Sequence, residues 1–200
     1  QETYGEDPHH VGEMGAGLTR GAQRHVMATL KHFALNSMEN ARFGVDVKID
    51  ERALHEVYLP HFKRIVDEGV ACVMTAYNSV NGEWCSQNEV LLADILRREW
   101  GFAGFVISDW IFGVHDGVKS LIAGLDVEMP YRMIRNAPIV AALSEGLVTE
   151  ENIASAVTRT LTTMLKFNVG KLPVSDRSVV LCSEHVLLSQ EVAEKSMVLL

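Results

Sequence analysis

Four short apolar runs, Met27 to Phe33 (MATLKHF), Val70 to Tyr77 (VACVMTAY), Phe105 to Trp110 (FVISDW) and Leu125 to Met129 (LDVEM), recur along the chain with longer amphipathic segments between them. Runs this short and this uniformly apolar fit strands covered on both faces. Their alternation with helix-length stretches predicts an α/β fold with parallel strands. Helix ends are legible too. Asp50 can cap a helix whose apolar positions Leu54, Val57, Tyr58, Phe62, Ile65 and Val66 follow helical spacing up to Gly69, with a kink at Pro60. A second helix is predicted near Glu89 to Arg98, with Leu91, Leu92, Ile95 and Leu96 on one face and Gly101 as its stop. A third starts at Thr149 with acidic Glu150 and Glu151 in its first turn. It carries Ile153, Val157, Leu161, Met164 and Leu165 on its apolar face and ends at Gly170. Glu6, Asp7 and Pro8 read as a turn ahead of a helix.

Periodicity stops over Lys171 to Val180 (KLPVSDRSVV), whose composition is that of a linker. Ser183 is then expected to cap a helix running to about Lys195, and Ser196 to Leu200 to begin an apolar strand. The domain plan is therefore residues 1–170, a linker over 171–181, and the start of a second domain over 182–200.

Composition narrows the function classes. Against 18 Lys and Arg stand 26 Asp and Glu, a net charge of −8, so the attraction that draws basic proteins to phosphate backbones or anionic lipid is absent. Neither nucleic acid nor a membrane is an expected partner. No apolar run approaches the roughly 18 residues of a membrane span, which predicts a soluble chain. Cys72, Cys85 and Cys182 are odd in number and widely spaced, and read as ordinary buried or half-buried thiols rather than a disulfide framework or a metal site. His9 with His10, and His115 with Asp116, lack further ligands at suitable spacing, so no metal is expected. The only Gly-rich candidate, Met14-Gly15-Ala16-Gly17, does not follow a strand, and no nucleotide cofactor is indicated. No GxSxG elbow or Asn-x-Ser/Thr sequon occurs. With Gln1 at the start rather than Met, localisation stays open.

Polar groups collect at the carboxyl ends of the first three runs: Lys31 and His32, then Tyr77, then Asp109 with Trp110. In parallel α/β barrels the reactive groups come from that end of several strands, so these side chains would converge on one cleft. Each also has a plainer reading. Asp109 could cap the next helix, and Lys31 or His32 could pair with a structural carboxylate such as Glu56. Tyr77 could be an interior aromatic, and Met74 core filler.

Six blocks carry a resemblance. ETYGEDP (Glu2 to Pro8), TLKHFALN followed by ENAR (Thr29 to Arg42), ERALHEVYLPHF (Glu51 to Phe62), VMTAYNSVNG (Val73 to Gly82), LRREWGFAGFVISDW (Leu96 to Trp110) and AGLDVEMP (Ala123 to Pro130) strongly resemble glycoside hydrolase family 3, in the family's order and approximate spacing. The resemblance implies the C-terminal part of a (β/α)₈ TIM-like barrel over 1–170, followed by the start of an α/β sandwich domain. It implies a retaining exo-glycosidase that removes terminal β-D-glucosyl residues from a β-glucoside or oligosaccharide, with no cofactor. Asp109 matches the family's nucleophile. Lys31 and His32 match the pair that hydrogen-bonds the terminal sugar, Arg42 an arginine that helps hold it, Met74 and Tyr77 side chains lining that subsite, and Trp110 its aromatic wall. Asp126 and Glu128 are expected to be structural, and the acid/base residue to lie in polypeptide beyond Leu200. The expectation is thus a chain cut at both ends. Asn36-Ser37-Met38-Glu39 departs from the NNQE of many relatives, which leaves sugar and aglycone preference open. KHFALN argues against the N-acetylglucosaminidases, which usually carry KHFPGHG. β-Xylosidase or α-arabinosidase activity and a non-catalytic carbohydrate-binding relative stand as alternatives.

Overall fold

A computed structural model describes residues 3–167 and 176–198. The chain divides into two compact units, residues 1–167 and 168–200. In the first, three strands form a parallel sheet in the order β1 (Thr29–Phe33), β3 (Cys72–Thr75), β6 (Phe105–Ile107). Thr29 lies opposite Cys72, and Cys72 opposite Phe105. Sequential strands are spatial neighbours joined by helical crossovers, the winding of an α/β barrel wall.

All three strands are shorter than their apolar runs. Ala76, Tyr77 and Ser108 are buried although they lie past the last ladder pair, and a buried loop residue has the same polarity signature as a buried strand residue. The fourth run, Leu125 to Met129, forms no strand; it makes one bridge, between Ile107 and Val127. The cause is local. The Val106 N–H, which a neighbouring strand's carbonyl would accept, is taken at 2.7 Å by the Asp126 carboxylate instead.

A second small sheet, β2 (Asp46–Val47), β4 (Ser79–Val80) and β5 (Glu83–Trp84), was not expected. Its hairpin turns on Asn81 (φ 52°) and Gly82 (φ 98°), and an Asn-Gly pair with both residues at positive φ is the favoured two-residue hairpin turn.

The predicted helices form, with informative departures. Asp50 caps the Glu51–Ala53 turn, accepting the Ala53 N–H at 2.8 Å. The chain continues through wider π-type turns over Leu54–Tyr58 and restarts at Pro60 as the helix Pro60–Asp67. Wider turns shift the register. Leu59, outside the expected stripe, is 1% exposed, whereas Val57 and Tyr58 face solvent. The segment Val90–Glu99, also π-type, buries Leu91, Leu92, Ile95 and Leu96 as expected. Asp7 caps the helix Pro8–Ala22, whose Gly15 meets the helix Pro60–Asp67 so closely that a Cβ there would lie 2.4 Å from Ile65 Cδ1. Helices Gly117–Ala123 and Ala137–Ser144 were not foreseen.

Thr149 and Asn152 form a reciprocal capping box at the start of the helix Glu150–Lys166. The helix turns Ala156 and Thr163 inward, keeps Ile153 and Met164 half-buried, and leaves Val157, Leu161 and Leu165 exposed, so only part of the expected face is covered. Arg159, on the inward side, binds Asp126. That ion pair acts with the packing of Ala156 and Ile153 against Leu121, Ala142 and Val148 in setting the helix rotation. Its predicted end at Gly170 lies outside the described residues.

The main core lies between the parallel sheet and its covering helices. Phe33, Leu59, Leu91, Leu92, Leu96 and Leu125 are wholly buried in it, and the Phe33 ring meets Phe62 edge-on at 5.2 Å. A smaller cluster joins Cys72, Met74 and Ile107.

His61 packs 4.5 Å from the Phe62 ring, and burial pushes its imidazole below the ordinary value. The unfolded chain then binds the proton better. The stability this residue contributes is complete above about pH 6.5 and is lost as pH falls below it. Thermal midpoints are expected to fall between pH 7 and pH 5, and His61→Phe to flatten that slope. An unchanged slope would refute the assignment. His32 and His115 are lowered by burial with the same sign, so the slope shrinks without vanishing.

In the second unit, Asp176 caps a short 3₁₀ turn, Arg177–Val179, and a helix spans Ser183–Ser196. Cys182, not Ser183, occupies the cap position and makes no side-chain cap bond. Met197 is extended where the helix ends, and neither it nor Val198 belongs to a described strand. Residues 171–175 of the predicted linker, and 199–200 of the predicted strand, lie outside the described residues.

Candidate active site

Parallel strands present their carboxyl ends on one edge, and there the structure gathers most of the residues singled out above. His32 lies in β1, Tyr77 two residues past β3 and Asp109 two residues past β6. His32 Nε2 stands 3.4 Å from Asp109 Oδ2, with side-chain exposures of 27% and 10%. Glu56 is engaged elsewhere, by Arg52 at 3.0 Å. Burial pulls the His32 imidazole below its ordinary value; Asp109 opposes that shift and Lys31 reinforces it. A neutral imidazole beside the carboxylate follows.

Asp109 is not a helix cap. The next helix begins at Gly117 and is capped by Asp116, which accepts the Val118 and Lys119 N–H groups. Asp109 Oδ1 instead accepts the N–H of Trp110 at 2.7 Å. The Tyr77 hydroxyl donates to the Trp110 carbonyl at 2.8 Å. Burial, and then the negative charge of Asp109, push its phenol up to about 12. Tyr77 therefore stays a proton donor at neutral pH, beside the carboxylate.

Arg42 follows the 3₁₀ turn Glu39–Ala41. Its guanidinium lies 4.8 Å from the Phe43 ring centroid and 4.9 Å from that of Tyr77, and Nη1 is 2.6 Å from Glu39 Oε1. Asn36 Nδ2 donates to the other Glu39 oxygen at 3.0 Å. The unusual stretch 36–39 thus holds the arginine. Trp110 is 41% exposed, whereas Met74 is 8% exposed among Cys72 and Ile107. Lys31 is exposed on β1 next to His32. Phe43 and Phe112, which sequence reasoning passed over, join the cluster: Phe43 lies 4.7 Å from Tyr77 and 5.7 Å from Phe112. Neither ends an apolar run, so periodicity offered no signal for them.

The loop bearing Asp109 is tightly tied. The Ile111 N–H donates to Met129 O at 3.0 Å and the Phe112 N–H to Trp110 O at 2.7 Å; Ile111 has φ 65°. A Cβ on Gly113 would lie 2.5 Å from Asp109 O and 2.9 Å from Asp109 N. Because those atoms are backbone, the loop must shift to admit a methyl group. Gly113→Ala is expected to destabilise the protein by ~1–3 kcal/mol, read as a lower thermal midpoint. An unchanged midpoint would show that the loop yields freely.

The remaining candidates have other work. Asp126 binds Arg97 and Arg159. Glu128 accepts the N–H groups of Met133, Ile134 and Arg135 at 2.8–3.0 Å. His115 stacks on Trp84 with ring centroids 3.8 Å apart. Cys72 and Cys85 are buried free thiols, both pushed up to about 12 by burial, and Cys182 is half-buried.

An α/β domain with parallel strands and its ionisable side chains at their carboxyl ends is the class defined by this fold and site. The chain belongs to glycosyl hydrolase family 3: the model of that family's N-terminal domain matches residues 1–163. Among similar proteins, beta-glucosidase B of Emericella nidulans is 39% identical over all of this chain and 24% of its own length. An exo-alpha-(1->6)-L-arabinopyranosidase of Bifidobacterium longum is 44% identical over 74% of this chain and 20% of its own. The structure of beta-glucosidase 3B from Thermotoga neapolitana in complex with glucose superposes with a TM-score of 0.87 at 36% identity, over 98% of this chain and 28% of that one. This chain spans about a quarter of the length of the curated relatives it matches.

Proposed function

We propose that this chain carries the nucleophile side of a retaining exo-β-glucosidase, with Asp109 as nucleophile. The supporting observation is the convergence of His32 and Tyr77 on Asp109, a buried carboxylate at the sheet's carboxyl edge. A carboxylate oxygen of Asp109 attacks the anomeric carbon as the bond to the leaving oxygen breaks, giving a glycosyl ester. An acid protonates the leaving oxygen and later activates the water that hydrolyses the ester; in such enzymes the two carboxyls stand roughly 5–5.5 Å apart. Asp126 and Glu128 are held by arginines and backbone amides, and the family resemblance assigns the acid/base group to polypeptide outside residues 1–200. Lys31, His32 and Arg42 bind hydroxyls of the terminal sugar, with Met74, Tyr77 and Trp110 around it. A protonated Tyr77 can turn its single O–H from the Trp110 carbonyl towards developing charge near the nucleophile. In this reading residues 1–170 are barrel, 171–181 linker, and 182–200 the opening of a sandwich domain.

Trapping the full-length protein with a 2-deoxy-2-fluoro glucoside and sequencing the labelled peptide tests the assignment. Label on Asp109 supports it; label on another residue overturns it. Arabinosidase activity is the second reading, favoured by the similarity to the arabinopyranosidase of B. longum. A panel of aryl glycosides assayed on the full-length protein separates the two.

A further inference from the structure

We propose that Glu39 is a positioning residue for the terminal sugar, setting the orientation of the Arg42 guanidinium, a role that rests on the reading of Arg42 as a group that binds the sugar's hydroxyls. An arginine side chain is long and rich in rotamers, so its planar fork meets a hydroxyl in one geometry only if something else holds it. Two aromatic rings supply part of that hold. The guanidinium carbon lies 4.8 Å from the Phe43 ring centroid and 4.9 Å from that of Tyr77. Attraction to a ring face acts on the cation as a whole, so it keeps the guanidinium carbon in place while its N–H groups can still turn about it. The remaining constraint is an acceptor at one edge, and Glu39 Oε1 provides it, 2.6 Å from Nη1. The carboxylate takes one end of the fork and leaves its other N–H donors to meet a hydroxyl.

Local geometry brings the pair together. Glu39 opens the 3₁₀ turn Glu39–Ala41 and Arg42 follows it, and side chains three residues apart in such a turn lie one above the other. The carboxylate is held in its turn, because its second oxygen accepts Asn36 Nδ2 at 3.0 Å. Asn36 lies three residues past β1, so the series Asn36, Glu39, Arg42 ties the arginine to the strand that carries Lys31 and His32. A half-exposed ion pair ordinarily contributes little, since both partners swing in water, and side-chain exposure is 56% for Glu39 and 32% for Arg42. Here the anion has both oxygens engaged and the cation has two rings against it, so the effect of the pair falls on orientation rather than on stability. At the His32 imidazole, which burial lowers most, Glu39 acts upward and Arg42 downward. Both charges therefore stand within electrostatic reach of the side chain beside Asp109.

A double-mutant cycle on the full-length protein tests this role, with kcat/KM for 4-nitrophenyl β-glucoside and thermal midpoints measured for wild type, Glu39→Ala, Arg42→Ala and the double variant. Glu39→Ala is expected to lower kcat/KM roughly three- to tenfold when Arg42 is present and by less than about twofold when it is gone, as for two residues that act as one unit. Its thermal midpoint is expected to stay within about 2 °C of wild type. Glu39→Gln, whose amide oxygen can still accept from Nη1, is expected to recover part of the loss. Should the alanine variant fail to fold, Glu39→Gln takes its place in the cycle, with a smaller loss that again vanishes without Arg42. A loss at position 39 that is the same with and without Arg42, or no loss in either background, overturns the positioning role and leaves the nucleophile assignment intact. Arg42→Ala as active as wild type overturns the reading of Arg42 itself.

Discussion

Asp109→Asn is expected to lower kcat/KM on 4-nitrophenyl β-glucoside on the order of 10⁴-fold, the scale on which loss of a central catalytic group costs other covalent mechanisms. The substitution is nearly isosteric. The amide oxygen can still accept the Trp110 N–H now bound to Oδ1, so the loop should keep its shape and the fold its stability. What disappears is the anionic oxygen able to form an ester. The smaller variant Asp109→Gly sharpens the test, because azide can then enter the vacated space and attack the anomeric carbon from the same side. A single displacement on a β-glucoside gives the α-glucosyl azide, identifiable by its anomeric proton coupling. Activity within tenfold of wild type in Asp109→Asn, or β-configured azide from Asp109→Gly, would remove Asp109 from the mechanism.

The largest loss of stability is expected at Asp126. Its side chain has no exposed surface and accepts from Arg97 Nη2 at 2.7 Å, Arg159 Nη2 at 2.7 Å and the Val106 N–H at 2.7 Å. One carboxylate thus joins β6 to Val90–Glu99 and to Glu150–Lys166. Burial pulls the Arg97 guanidinium below its usual value, with Asp126 acting against that shift. Neutralising the anion leaves two guanidiniums facing each other with little solvent. Asp126→Asn is therefore expected to cost about 3–5 kcal/mol, much of the 5–15 kcal/mol that holds an ordinary domain together. Arg159→Met should cost less, because Arg159 keeps 26% of its side chain in solvent. Urea unfolding with matched m-values measures both. A loss under 1 kcal/mol for Asp126→Asn would show that the two arginines find other partners.

What the sequence revealed follows from which interactions are local. Strands β1, β3 and β6, the Asp50 and Thr149 helix starts and the buried face of Val90–Glu99 depend on residues close in sequence, and all were legible. The Asn81-Gly82 hairpin was equally local and was overlooked. The rotation of Glu150–Lys166 was not legible, because it depends in part on Arg159 reaching a carboxylate 33 residues away. Neither was the failure of Leu125 to Met129 to form a strand, since a side chain there replaces a backbone acceptor. At the site, His32, Tyr77 and Asp109 stood out because they close apolar runs. Trp110 stood out beside Asp109, Arg42 entered through family resemblance, which also gave Met74 its place at the site, and the Phe43–Phe112 pair needed the folded chain, since 69 residues separate its members.

Glu128 has a consequence for how such a site can diversify. By accepting three consecutive backbone N–H groups, from Met133, Ile134 and Arg135, it fixes the course of the segment after Pro130 through the main chain alone. Main-chain hydrogen bonds do not depend on side-chain identity. Tyr131 and Met133, at 61% and 46% exposure, can therefore be exchanged without releasing the loop, which makes this segment a place where evolution or a designed library can vary side chains on an unchanged scaffold.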